Sequence, residues 1–144
     1  MKGLKVKDVM TRGVITIPQD ASIKEAVEML ADNDVSGLAV ISDEGELIGV
    51  LSETDMVRVV SENMEGEDDL YRIRVSEVMA TPAITVNRED DLKEACRIMY
   101  RNNIHRLIVQ QEIKRGEQTK YVPGGILSIS DVVKVLAGKW RMRG

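Results

Sequence analysis

The chain has 144 residues, of which 43% are hydrophobic and 31% charged, and it carries a net charge of −4. That mix suits one ordinary globular domain or two very small ones and excludes disorder. The single cysteine, Cys96, and single histidine, His105, exclude an internal disulfide, a cysteine-based zinc cage and a multi-histidine metal site.

In chain order, the opening MKGLKVKDVM has no apolar stretch of the export type, and no later run approaches the roughly 18–20 apolar residues that cross a bilayer. A cytoplasmic protein without membrane contact is expected. A short helical turn over Val6–Met10 leads to a β-rich piece, VITI. An amphipathic helix follows, with Ile23, Ala26, Val27 and Leu30 at i, i+3, i+4, i+7. Then come a strand, GLAVI, a turn at Asp43–Gly45, a second strand, ELIGVLS, and a closing helix over Asp55–Val60. The stretch 61–74 holds Glu62, Glu65, Glu67, Asp68 and Asp69 and reads as a solvated acidic linker whose spacing fits no calcium loop.

From residue 75 the same grammar returns. Displaced by 69 residues, VKDVMTRGVITI lands on VSEVMATPAITV, and the first amphipathic helix lands on Leu92, Ala95, Cys96 and Met99. Seven extra residues around KRGEQTKYVP raise the displacement to 76 and read as a longer loop. GVLSETDMVRVV then matches GILSISDVVKVL, and the last helix, Asp131–Ala137, stops at Gly138. In all, 17 of 50 aligned positions are identical. The expected architecture is α/β (α+β): two β-α-β-β-α half-domains related by a pseudo-twofold axis, sheets packed together, because a half this small buries too little surface alone. The divisions are 1–60, the linker 61–74, 75–138 and a basic tail, 139–144, built around Trp140, Arg141 and Arg143.

Three features bear on chemistry. Gly49-Val-Leu-Ser52-Glu-Thr-Asp55 and Gly125-Ile-Leu-Ser128-Ile-Ser-Asp131 each stand where a strand runs into a helix. Ser-x-x-Asp there is a capping box. It is equally a carboxylate that can accept from a ribose diol, beside a glycine that lets a ligand approach the backbone. Second, His105-Arg106 follows the second amphipathic helix, where the first copy has Ser36-Gly37. Arg offers phosphate two parallel charge-assisted bonds, and the bland alternative is an exposed basic pair on a loop. Third, the segments Met10–Thr16 and Met79–Thr85, with Thr11, Ile15, Thr81 and Ile84, are either edge strands or a backbone surface for a flat base. No nucleophile–base pair, P-loop or dinucleotide fingerprint occurs, so neither catalysis nor a catalytic cofactor is expected. The acidic first half, −5 over residues 1–60, opposes nucleic-acid binding, while +4 over 75–144 leaves room for a local anion site.

The duplicated order resembles a pair of CBS domains, the modules named after cystathionine beta-synthase, over 6–60 and 75–137. HRLIV resembles the phosphate-binding stretch of the adenylate-sensing gamma subunit of AMP-activated protein kinase. The resemblance implies a non-catalytic regulatory module with adenine nucleotides (AMP first, then ADP or ATP, with S-adenosylmethionine a further candidate) in clefts between the repeats. It implies that Asp55 and Asp131 hold ribose hydroxyls beside Ser52 and Ser128. Ile15, Val35, Ile84 and Ile104 would flank adenine, Thr11 or Thr81 would add a hydroxyl, and His105 and Arg106 would meet phosphate. Ser36 marks the cleft without a basic pair. The same resemblance implies a homodimer. A separate effector chain, or action through the module's own assembly, is expected; the alternative functions are a structural dimerisation or adaptor module with vestigial clefts and a nucleic-acid-binding accessory using the basic second half and tail.

Overall fold

The structure is a computed structural model and describes residues 3–139. The tail residues Trp140, Arg141 and Arg143 lie outside the described residues. The chain forms two compact units: a continuous one, Ile15–Ala83, and a discontinuous one drawn from the chain up to Val14 and from Ile84 onward.

The continuous unit holds β2 (Thr16–Pro18), α2 (Ile23–Asp32), β3 (Gly37–Ile41), β4 (Leu47–Ser52), α3 (Glu53–Asn63), α4 (Asp69–Arg72) and α5 (Val75–Val78). Its sheet runs β2-β3-β4, with β2 parallel to β3 and β3 antiparallel to β4. The parallel pair needs a crossover, and α2 supplies it. Ser22 caps α2 by accepting from Glu25 N, and Ile23, Ala26 and Leu30 go into the core. There they meet Ile17, Leu38, Val40, Leu51, Met56 and Val59. Val75 and Val78 of α5 enter the same core, and α5 is tied to it by Val75 N to Ala21 O and Ser76 N to Gln19 O.

The discontinuous unit repeats the plan. It holds α1 (Val6–Val9), β1 (Thr11–Arg12), β5 (Thr85–Asn87), α6 (Leu92–Asn102), β6 (Arg106–Arg115), β7 (Gln118–Ser128) and α7 (Ile129–Leu136), with sheet order β1-β7-β6-β5. Val6, Val9 and Met10 pack with Val86, Leu92, Ala95, Met99, Leu107, Val109 and Leu127. Val6 N bonds Asp90 O and Lys7 N bonds Arg88 O, the counterparts of the α5 ties. Each repeat's opening helix therefore belongs to the compact unit formed by the other repeat's sheet, so the compact units are offset from the sequence repeats.

The repeats agree in detail. The register slips at Val40/Ile41 and at Val109/Gln110. Asp34 and Asn103 both take left-handed backbone after the amphipathic helix, with φ of 50° and 52°. Cys96 is half-buried beside that core, and burial pushes its thiol pKa up.

Two expectations are corrected. The seven extra residues of the second repeat form no long loop. They extend β6 and β7 into a hairpin paired out to Arg115↔Gln118, closed at Gly116, whose φ is 61°. The β-branched Ile113, Thr119 and Val122 and the aromatic Tyr121 suit a two-stranded ribbon. The closing helices begin at Glu53 and Ile129 rather than at the aspartates, because the preceding serine is the N-cap. Within 61–74, Glu62, Glu65, Glu67 and Asp68 are exposed, while Met64, Leu70 and Ile73 pack on the continuous unit's core.

Candidate functional site

Each Ser-x-x-Asp motif forms the same local device. Ser52 is extended (φ −116°, ψ 165°), and its Oγ accepts from Asp55 N at 3.2 Å. Asp55 Oδ2 accepts from Ser52 N at 2.8 Å and from Ser52 Oγ at 3.0 Å. In the discontinuous unit Ser128 Oγ accepts from Asp131 N at 3.2 Å. Asp131 Oδ2 accepts from Ser128 N at 2.9 Å and from Ser128 Oγ at 3.1 Å. The capping role is thus observed in both units. It uses one carboxylate oxygen, Oδ2, and leaves Oδ1 for something else.

The two Oδ1 atoms differ. Asp55 Oδ1 accepts from Arg58 Nη2 at 3.2 Å, and the same nitrogen donates to Val78 O at 2.9 Å. Asp131 is buried, and among the described residues its Oδ1 makes no hydrogen bond; Lys134, at the position equivalent to Arg58, is exposed. Comparing the two motif copies three residues beyond the aspartate could have singled out Arg58, yet sequence reasoning missed it.

The neighbours of each motif come from strand pairing. In the continuous unit Gly37 opposes Ser52, and Glu53 N bonds Ser36 O at 3.0 Å, which sets Ser36 against the β4–α3 junction. Val35 and Ile15 are half-buried against the core, and Ile15 O accepts from Ala39 N at 3.0 Å. In the discontinuous unit Arg106 opposes Ser128, and Ile129 N bonds His105 O at 3.0 Å. His105 is exposed, Arg106 and Ile104 are half-buried, and Ile84 is 40% exposed. The basic pair therefore stands at the Ser128–Asp131 junction and the Ser36–Gly37 pair at the Ser52–Asp55 junction.

The threonines exchange partners. Thr11 pairs with Ile126, two residues before Ser128, and so joins the second repeat's motif. Thr81 sits with the first repeat: its hydroxyl donates to Ile48 O at 2.7 Å, four residues before Ser52. The glycines have a packing role. A Cβ on Gly49 would lie 2.8 Å from Ala80 O and 2.8 Å from Met79 Sδ, and one on Gly125 would lie 2.8 Å from Thr11 O. They admit a neighbouring segment of the chain itself.

Among the described residues no group of His, Cys, Asp and Glu has the makings of a metal site, and no helix is long and apolar enough to cross a membrane. The arrangement can accept hydroxyl donors at Asp131 Oδ1 and attract an anion at His105–Arg106.

The CBS domain family model matches the chain over residues 6–62 and 75–138. A protein of Methanocaldococcus jannaschii, MJ1232, is 31% identical over 137 residues, 95% of this chain and 41% of that protein. This chain spans less than half the length of that relative. Among solved structures, the CBS domain pair of protein MJ0100 in complex with 5′-methylthioadenosine and S-adenosyl-L-methionine aligns with a TM-score of 0.77 at 22% identity. It covers 94% of this chain and 98% of that one. The structure of CBSX2 in complex with AMP aligns with a TM-score of 0.72 at 26% identity, covering 94% and 98%.

Proposed function

The chain belongs to the CBS domain family, with two copies of the domain, and from that premise we propose that it is a non-catalytic regulatory module that binds an adenine nucleotide, AMP first. The observation that carries this reading is the Ser128–Asp131 junction. It sets a buried carboxylate, whose Oδ1 makes no hydrogen bond among the described residues, next to the His105–Arg106 pair, which gives one ligand a diol acceptor and a phosphate donor together. A relative of 26% identity whose structure holds AMP supports the choice of ligand class. Asp131 takes the ribose hydroxyls, Arg106 and His105 the phosphate, and Ile84, Ile104 and Thr11 the base. Asp55, Ser52, Ser36, Val35, Ile15 and Thr81 form the second counterpart, which has Ser36-Gly37 in place of the basic pair.

Occupancy reaches a partner as a population shift, bounded by the ligand's differential affinity for the module's states. The module also pairs with a second copy of itself. Val57 and Val60 on α3 are 70% and 59% exposed, and their equivalents on α7, Val133 and Leu136, are 56% and 69% exposed. The same aliphatic pair bared in both units is a duplicated face of the kind that two identical chains cover mutually.

Calorimetry with AMP, ADP, ATP and adenosine tests the ligand. Heat and a thermal shift are expected with AMP, and silence with every adenylate at millimolar concentration overturns the reading. Arg106→Ala is expected to weaken AMP by about tenfold or more while sparing adenosine. Equal loss for both removes the phosphate role.

A further inference from the structure

The two aspartates are chemically unequal in a way that the repeat conceals. Both spend Oδ2 on the cap of their own helix. Any hydroxyl that either recognises must therefore be met chiefly by Oδ1. In the first repeat that oxygen already has a donor. Arg58 Nη2 spans from Asp55 Oδ1 at 3.2 Å to Val78 O at 2.9 Å. The carbonyl is one of those left without an intrahelical donor at the end of α5, where a cation is also favoured by the helix dipole. Arg58 is therefore held from two sides.

We propose that Arg58 is a built-in competitor at the first-repeat site: a latch that occupies Asp55 and opposes diol-bearing ligands there, while Asp131 in the second repeat meets no such competitor from Lys134. The inference rests on the reading of Asp55 and Asp131 as diol acceptors. The second repeat has every other part of the latch. Val9 O corresponds to Val78 O, and Lys134 corresponds to Arg58, but Lys134 makes no bond to Asp131. A lysine carries a compact charge on a flexible stem, whereas the planar guanidinium fork can serve a carboxylate and a carbonyl from a fixed geometry. An exposed ion pair alone is weak, and Arg58 is 44% exposed in its side chain. The carbonyl bond is what makes the competition felt.

The latch assigns the two sites different duties. The second-repeat site fills first. The first-repeat site fills only when a ligand, or a partner that draws Arg58 away, displaces the guanidinium. A module with equal sites would respond over one concentration range; this one responds over two.

The test is equilibrium titration of the full chain with adenosine, which carries the diol and no phosphate, with 2′,3′-dideoxyadenosine as the diol-free control. Wild type is expected to bind one adenosine tightly and a second about three- to tenfold more weakly. Arg58→Gln and Arg58→Met are each expected to bring the weak site up to the strong one, and adding Asp55→Asn is expected to abolish that gain. Lys134→Arg is expected to weaken the strong site. Two equal sites in wild type, unchanged by R58Q and R58M, would overturn the latch and leave the diol reading standing. Absence of adenosine binding in wild type and both variants, or indifference to loss of the diol, would overturn the diol reading and the latch with it. R58M keeps the aliphatic stem, so a folded variant remains if R58Q is unstable.

Discussion

Gly49→Ala probes how the exchanged segment is held against the first repeat. The added carbon would stand 2.8 Å from both Ala80 O and Met79 Sδ and 3.3 Å from Met79 Cγ. The thioether can rotate aside, but the carbonyl is backbone and bonded: Val50 N donates to Ala80 O at 3.0 Å, and Ala80 N donates back at 2.9 Å. Relief therefore means backing residues 79–81 off β4, which strains that pair and the Thr81 hydroxyl bond to Ile48 O. Overpacking of this kind costs about 1–3 kcal/mol, and weakened hydrogen bonds add about 1 kcal/mol. Gly49 is not at positive φ, so alanine returns about 0.5 kcal/mol through the unfolded chain. The net expectation is a loss of about 1.5–3.5 kcal/mol, read as a lower urea midpoint at unchanged slope. Gly66→Ala is the control: nothing lies within 4 Å of its added carbon, and the change should stay within about 0.5 kcal/mol. If G49A unfolds at the same urea concentration as G66A, the close approach of Ala80 to β4 is not what this glycine serves.

Two further outcomes follow from the caps and the surface charges. Ser128→Ala removes the acceptor for Asp131 N and one donor to Asp131 Oδ2, for a loss of about 1 kcal/mol; Ser52→Ala should cost less, since Asp55 is more exposed and keeps Arg58. Equal and negligible losses in urea titrations of the two variants would refute the capping account. Glu89 has its pKa lowered by the hydrogen bond from Lys7, with the charges of Lys7, Lys5 and Arg88 adding to it. A folded-state pKa below the unfolded one contributes stability above the ordinary glutamate range and loses it as pH falls through the lowered value. Glu89→Gln should therefore flatten the acid limb of a thermal-stability profile, an effect fading at high salt because the pair is exposed. An unchanged acid limb at low salt would show that the pair contributes nothing.

The ribbon of β6 and β7 shows where local reading stops. KRGEQTK carries turn-forming and charged residues and reads as a loop, yet Arg106–Arg115 and Gln118–Ser128 pair from end to end, with one slip at Val109/Gln110. Cross-strand pairing supplies bonds that no local propensity registers. Arg58 is a similar case. Its partner Asp55 is three residues away and legible, but the Val78 carbonyl that fixes it is twenty residues distant.

The sequence alone determined the duplication, the order of elements, the helix faces and the two Ser-x-x-Asp caps. Each of these is decided within a turn or a strand's length, by spacing and by hydrogen bonds spanning three or four residues. Tertiary structure alone decided which opening helix serves which sheet. Val6, Val9 and Met10 have the same identities as Val75, Val78 and Met79, so neither core distinguishes them by side chain. Each four-residue helix is too short to be stable without a sheet to bury it. The folded chain gives the first of these segments to the second repeat and the second to the first, carrying Thr11 to Asp131's motif and Thr81 to Asp55's unit.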